Sequence, residues 1–234
     1  MSAVVEKGDV IKINYIGRTK DDNKVFDTNI EEVAKAEGLF QENHVYSPLV
    51  VVVGNGWIIP GLDEALVGLE EGKPVTIEVP VDKAYGPWDP SKVKIIPKRE
   101  LQKRNITPVK GQEIQIDGQR GKIIHVAAGR VRVDFNHPYA GKDLIYEITV
   151  VKKITDEKEK VLALLERRIP GADFTDTIIE FEDNNKLIKI TLPKQISYYQ
   201  YLPFVKRELA LDLKTIFPNL EKVIYLEEIS LTDL

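Results

Sequence analysis

The run Leu49-Val50-Val51-Val52-Val53-Gly54 constrains the fold most. So dense a stretch of β-branched residues is a strand, and the glycine ends it. Alternating apolar and polar positions mark further strands, with Val10, Ile11, Ile13 and Tyr15 within 8–20 and another over 73–80. Lys20-Asp21-Asp22-Asn23-Lys24 reads as a turn before Val25-Phe26-Asp27-Thr28, and residues 30–47 as a polar, partly helical excursion stopped by Gly38. Residues 60–69 form a short helix with Leu62, Leu66 and Leu69 on one face. Beyond Gly86 come a short basic helix over 97–105 and strands over 113–116, 121–126 and 130–135, with Ala128-Gly129 as a hairpin turn. The strand over 144–152 has no tight partner nearby and is expected to return to the first unit.

The composition changes at 152–155. Asp156 is placed to cap a helix bearing Val161, Leu162, Leu164 and Leu165, which Pro170-Gly171 ends. Strands over 174–182 and 186–192 flank Asn184-Asn185, a hairpin signal. A second helix runs from Tyr199 to Ile216, and a last strand holds Val223, Ile224, Leu226 and Ile229. The order α-β-β-α-β is a small α+β domain, and the whole chain is α+β.

At 234 residues the chain is long enough for two or three compact units. The net charge of −4 is unevenly spread: 87–137 carries +6, 155–234 carries −4, and the rest carries −6. This asymmetry marks the middle segment as a separate surface and a separate domain. With no cysteine there is neither a disulfide nor a thiol nucleophile, as suits a reducing cytoplasm. The N-terminus lacks a signal-peptide pattern, and no apolar run approaches the roughly 20 residues that span a bilayer. The expected protein is soluble and cytoplasmic. His44, His125 and His137 are far apart in sequence, and Ser230-Leu231-Thr232-Asp233-Leu234 holds no metal-ligand cluster, so no metal tail is expected.

Several short motifs occur in order: Asn14-Tyr15-Ile16-Gly17, Val25-Phe26-Asp27-Thr28, Gly54, residues 58–66, Gly68, Gly72 and Ala84-Tyr85-Gly86. Each is weak alone. As an ordered set they resemble the FKBP peptidyl-prolyl cis-trans isomerases, whose domain is a curved antiparallel sheet around a short helix. The resemblance implies an isomerase domain over 1–86 and 138–154. Residues 87–137 sit where simple members carry a short flap, and residues 136–144 are similar to the segment that closes the insert-in-flap domain of SlyD-type members. That layout implies a mainly β, chaperone-like insert. The excursion at 29–48 and a C-terminal domain over 155–234 look like the longer archaeal forms.

By motif position the resemblance implies a proline pocket of Tyr15, Phe26, Asp27, Leu49, Ile58, Ile59, Leu62, Tyr85 and Tyr146. Tyr15, Phe26 and Tyr146 would form aromatic walls. The Ile59 amide and Tyr85 hydroxyl would donate to substrate carbonyls, and Asp27 would bias the twisted amide from the rim. Leu62 stands at a floor position where many relatives carry Trp, and Leu49 and Tyr146 stand where Phe is common, which bears on macrolide affinity and not on the reaction. The reaction requires no cofactor and no metal, and the His/Cys-rich nickel-binding tail that SlyD-type relatives often carry is not expected here. The expected partners are unfolded or partly folded proline-containing chains, with no membrane.

Taken singly, Phe26, Leu49 and Leu62 read as core, Tyr15 and Tyr85 as hydrogen-bonded interior tyrosines, and Asp27 as a turn cap. Only their joint order favours a pocket. A non-enzymatic holdase with a vestigial pocket is the alternative. The basic residues of 87–137 alternate along strands like a solvated face, which disfavours nucleic-acid binding. The aromatic segment Tyr198-Tyr199-Gln200-Tyr201-Leu202-Pro203-Phe204 reads as helix-start core with some interface. With a domain that the isomerase does not need, it suggests a homodimer.

Overall fold

The structure, a computed structural model, describes residues 3–227. Its elements in chain order are β1 (Val10–Thr19), β2 (Val25–Thr28), α1 (Glu31–Ala36), β3 (Leu49–Val52), α2 (Pro60–Ala65), β4 (Pro74–Val79), β5 (Val93–Pro97) and α3 (Lys98–Lys103). There follow β6 (Glu113–Ile116), β7 (Gln119–Ala127), β8 (Arg130–Asp134), β9 (Leu144–Ile154), α4 (Glu157–Arg168), β10 (Ile178–Glu182), β11 (Leu187–Thr191), α5 (Lys194–Ser197), α6 (Leu202–Ile216) and β12 (Lys222–Leu226). The chain divides into two compact units. Among the described residues, the first comprises 3–18, Val25–Ile77 and 146–227, and the second comprises Thr19–Lys24 and Glu78–Ile145.

In the first unit the main sheet has the order β2-β1-β9-β4, with β3 also pairing β1. β9 is thus the returning strand, seated beside β1. Antiparallel pairing sets Gly17 opposite Asp27, with a bulge between Gly17 and Arg18, and sets Val10 opposite Val52 and Ile13 opposite Leu49. Successive strand residues point to opposite faces. Val50 and Val52 belong to the core formed with α4, α6 and the C-terminal strands, while Val51 and Val53 are fully buried outside that cluster. The β-branched run is apolar throughout because both faces of β3 are covered, one of them by the C-terminal segment.

The C-terminal segment forms the sheet β10-β11-β12, in which β11 pairs antiparallel with β10 and parallel with β12. Asp183, Asn184 and Asn185 all take positive φ at the β10–β11 turn, a conformation asparagine tolerates best after glycine. The Asp156 carboxylate caps α4 by accepting from the Glu159 amide at 2.8 Å. Arg168 joins α4 to α6 by a bidentate pair with buried Asp212, at 2.7 and 2.8 Å.

Three expectations for this segment change. Strand β10 begins at Ile178, because the Asp173 carboxylate accepts from the Thr175 amide and holds a turn there, while Phe174 enters the core from a loop. Helix α6 begins at Leu202, with Pro203 in its first turn, and α5 precedes it. The aromatic segment reaches the core only through Leu202: α6 buries Leu202, Val205, Leu209 and Leu213, so Phe204 falls on the opposite side and is 63% exposed, as Tyr201 is at 61%. Ile229 and the residues after it lie outside the described residues.

The second unit carries the sheet β5-β8-β7-β6 over a core of Leu101, Ile114, Ile116, Ile123, Val131 and Val133. Strand β5 is an addition to the sequence reading. Pro90 and Pro97 bracket it, and it pairs only with β8, as suits an edge strand containing proline. Among the described residues no helix is long and apolar enough to cross a membrane.

Candidate functional site

Four of the sequence-predicted residues meet at one end of the first unit's sheet. Tyr15 comes from β1, Phe26 and Asp27 from β2, and Tyr146 from β9. The Phe26 ring meets Tyr146 edge to face at 5.9 Å between centroids, and Tyr15 lies tilted at 6.3 Å from Tyr146. Gly17 makes this approach possible. A Cβ there would sit 2.8 Å from Tyr146 Cε1 and 3.1 Å from Phe26 Cζ.

The Tyr15 hydroxyl donates to Asp27 Oδ2 at 3.1 Å. Burial raises the Asp27 carboxyl above its ordinary value, opposed by that hydrogen bond, by the Thr28 amide and by the charge of His44. Both backbone groups of Tyr15 are held by side chains: its amide donates to Asn29 Oδ1 at 2.8 Å, and its carbonyl accepts from the Thr28 hydroxyl at 2.7 Å. Asn29 is buried, and its Nδ2 donates to the carbonyls of Ile13 (2.9 Å) and Ser47 (3.0 Å). It thus closes the neck of the 29–48 excursion against β1.

Leu49, the first residue of β3, is half-buried and lines a cleft together with Tyr15. Ile58 and Ile59 are half-buried, and Leu62 is buried in the first turns of α2. The loop that delivers them is pinned by Asp63, a buried carboxylate that accepts from the Gly54 and Gly56 amides at 2.8 Å each. Both glycines have positive φ, which the tight loop requires. Tyr85 belongs to the second unit, where it stacks on His137 at 3.8 Å, and burial lowers the His137 imidazole.

Asn29, Asp63 and the role of Gly17 are additions to the sequence reading. Gly17 lay within a motif, but only the rings packed against it disclose its function. A small polar side chain bonded to backbone far along the chain leaves no periodic trace in a sequence.

An aromatic wall closed over a glycine, with one carboxylate at its rim, is built to bind and desolvate an apolar group. That is the class of site that rotates X-Pro amides, for which no covalent step is needed. Family profiles described as "FKBP26, IF domain" and "FKBP26_C-terminal" match residues 94–139 and 157–230. A "Short-type peptidyl-prolyl cis-trans isomerase" of Methanocaldococcus jannaschii is 39% identical over 150 residues, covering 64% of this chain and 94% of that protein. The "FKBP-type peptidyl-prolyl cis-trans isomerase SlyD" of Yersinia pestis is 33% identical over 126 residues, covering 51% of this chain and 64% of that one. The chain belongs to the FKBP-type peptidyl-prolyl cis-trans isomerases, in a form with an insert-in-flap domain and a C-terminal domain. It is an isomerase, and its substrates are proline-containing polypeptides.

Gly17→Ala should cost about 1–3 kcal/mol of stability by overpacking and should displace Tyr146 or Phe26. Chemical denaturation, with isomerase activity measured on the folded fraction, checks this. Unchanged stability and activity together would show that the rings do not depend on the glycine.

Proposed function

We propose that isomerisation occurs against Tyr15, Phe26 and Tyr146, with Asp27 at the rim, and that the inserted domain holds unfolded stretches of the same client. The edge-to-face contact of Phe26 with Tyr146 carries the reading of the site. Rotation about an X-Pro bond is opposed by amide resonance, with a barrier of about 18–20 kcal/mol. Water bonded to the carbonyl strengthens that resonance. A ring-walled pocket strips the water and favours the twisted imide over both planar forms. Asp27 contributes a fixed charge beside the rotating amide. Leu49, Ile58, Ile59 and Leu62 complete the apolar lining in this reading, with the Ile59 amide orienting the substrate.

The test is acceleration of proline-limited refolding. Phe26→Ala should lower kcat/KM by about tenfold or more, equivalent to ~1.4 kcal/mol of transition-state binding. Asp27→Asn keeps an acceptor for Tyr15 and removes only the charge, so it should lower kcat/KM while leaving the fold intact. A raised carboxyl stabilises the folded state below its unfolded value, and that contribution is lost as pH rises through the folded value. At neutral pH Asp27→Asn should therefore be at least as stable as wild type. Full activity in both variants would remove these residues from the mechanism.

The holding role is supported by a groove of about 640 Å³ in the second unit, whose lining includes Trp88, Ile124, Phe135 and Pro138. Trp88 is 46% exposed, with its indole donating to Asp134 at 2.8 Å, and Ile95 and Val109 are also exposed. Exposed apolar surface beside basic strands suits an unfolded chain. Trp88→Ala with Ile95→Ser should weaken suppression of client aggregation, with activity on a short proline peptide retained. Equal suppression by this variant would sink the reading.

For the C-terminal segment we propose a homodimer through the exposed Tyr198, Tyr201 and Phe204. Truncation after Ile154 would strip the cover from Val10, Val50 and Val52, so surface substitutions are the cleaner test. Light scattering should give twice the chain mass for wild type and the chain mass for Tyr201→Ser with Phe204→Ser. A wild type at the chain mass would refute the dimer.

A further inference from the structure

A cleft of about 700 Å³ lies in the first unit between the 43–49 end of the excursion and the last turn of α4. Its lining includes Tyr15, Asn43, His44, Leu49, Arg167 and Pro170. It shares Tyr15 and Leu49 with the proposed proline pocket, but the rest of its lining enters neither the isomerase mechanism nor the holding groove. Two independent observations point to its occupant.

The first is the state of Arg167. Its Nη1 donates to the Val50 carbonyl at 2.8 Å, and its guanidinium lies 4.3 Å from the Trp57 ring centroid. Among the described residues no carboxylate lies within ion-pair distance of it, whereas both neighbouring cations on the lining are satisfied. Lys12 pairs with Glu166 at 2.6 Å, and Arg168 with Asp212 at 2.7 Å and Glu208 at 3.5 Å. Burial lowers Arg167 from its ordinary value, yet a guanidinium remains charged at neutral pH. The cleft wall therefore holds a half-buried cation bound only by a carbonyl and a ring, with planar donors to spare.

The second is continuity with the proline pocket. Tyr15 and His44 both line the cleft, and the Tyr15 hydroxyl donates to Asp27. Leu49 belongs to both linings. A chain with its proline against Phe26 and Tyr146 can continue past Tyr15 into the cleft. The two ends then differ in charge, with Asp27 beside the proline and Arg167 beyond it.

We propose that this cleft receives the polypeptide flanking the isomerised proline and that Arg167 selects an acidic side chain there, a few residues from the proline. A carboxylate is the planar anion that a guanidinium fork binds bidentately. The lining cations Lys12, Arg167 and Arg168 outnumber its one carboxylate, Glu166. The inference rests on the pocket reading given above.

The test is a series of terminally blocked Ala-Pro peptides in which Glu or Gln is placed in turn at each position on either side of the proline. In wild type the ratio of kcat/KM for Glu to that for Gln should reach about five to ten at one position and stay near one elsewhere, the size expected of a partly buried charge-assisted pair. In Arg167→Met that ratio should fall to near one. Read as a ratio within each variant, the result does not depend on the folded fraction. Asn43→Asp adds a negative charge at an exposed position on the lining of the same cleft and should also lower the ratio, so the proposal stays testable if Arg167→Met does not fold. A wild-type ratio near one at every position, or a ratio that survives these variants, overturns it. Phe26→Ala separates the two failures. If it retains full activity on the Gln peptides, the pocket reading fails; if it loses activity while wild type shows no Glu preference, only the cleft proposal fails.

Discussion

The carboxamide of Asn29 meets four backbone or side-chain groups at the base of the pocket. Its Oδ1 takes the Tyr15 amide, and its Nδ2 reaches the carbonyls of Ile13 and Ser47, with the Asn14 side chain at 3.4 Å. These bonds fix the first aromatic wall and draw the two ends of an 18-residue excursion together, which sets where Leu49 enters β3. Buried polar groups are costly when unpaired, so the excursion cannot leave this position without exposing or stranding several of them. The pocket wall, the cleft behind it and the start of β3 share that single anchor.

The site above the anchor asks little of chemistry and much of placement. No group need transfer a proton or attack a carbon, because the barrier is electronic and falls when water leaves the amide. In the proposed reading the protein supplies a set of rings at fixed spacing and one exposed carboxylate held beside them by Tyr15. Desolvation raises Asp27, and the hydrogen bond from Tyr15 opposes the rise. In that reading the carboxylate, fixed by its bond to Tyr15, would act on the twisting amide without reorganising. Gly17 performs the matching steric service, since any side chain there would occupy the volume of the Tyr146 and Phe26 rings.

Much of this was legible in the sequence, and the failures have physical causes. The alternating strands, the Asp156 cap and the Asn184-Asn185 turn follow from local rules of pattern and φ preference, and they appear where those rules put them. The meeting of Tyr15, Phe26, Asp27 and Tyr146 was legible only as an ordered set, because residues 131 positions apart share no local signal. Strand β5 escaped because its five residues, three of them exposed and the last a proline, carry almost no period. The aromatic segment at 198–204 misled because size and apolarity suggest core, whereas the helical face set by Leu202, Val205 and Leu209 turned Phe204 outward. Asn29, Asp63 and Arg167 act through bonds to distant backbone, which no window of sequence contains.

The β-branched run at 49–53 shows how closely the C-terminal segment is bound to the isomerase. A strand with one wet face would alternate, but this one does not. Val50 and Val52 share a core with Val161, Leu164, Leu165 and Leu209. Burying such valines is worth about 1.5–3 kcal/mol each, so the C-terminal segment contributes directly to the stability of the sheet that carries the pocket. The same packing brings the last turn of α4 against β3, where Arg167 finds the Val50 carbonyl and the Trp57 ring. A domain that looks dispensable by motif is thus part of the isomerase core. Any pressure to keep Val50 and Val52 covered also keeps a cation on the wall of the cleft that leads away from the proline.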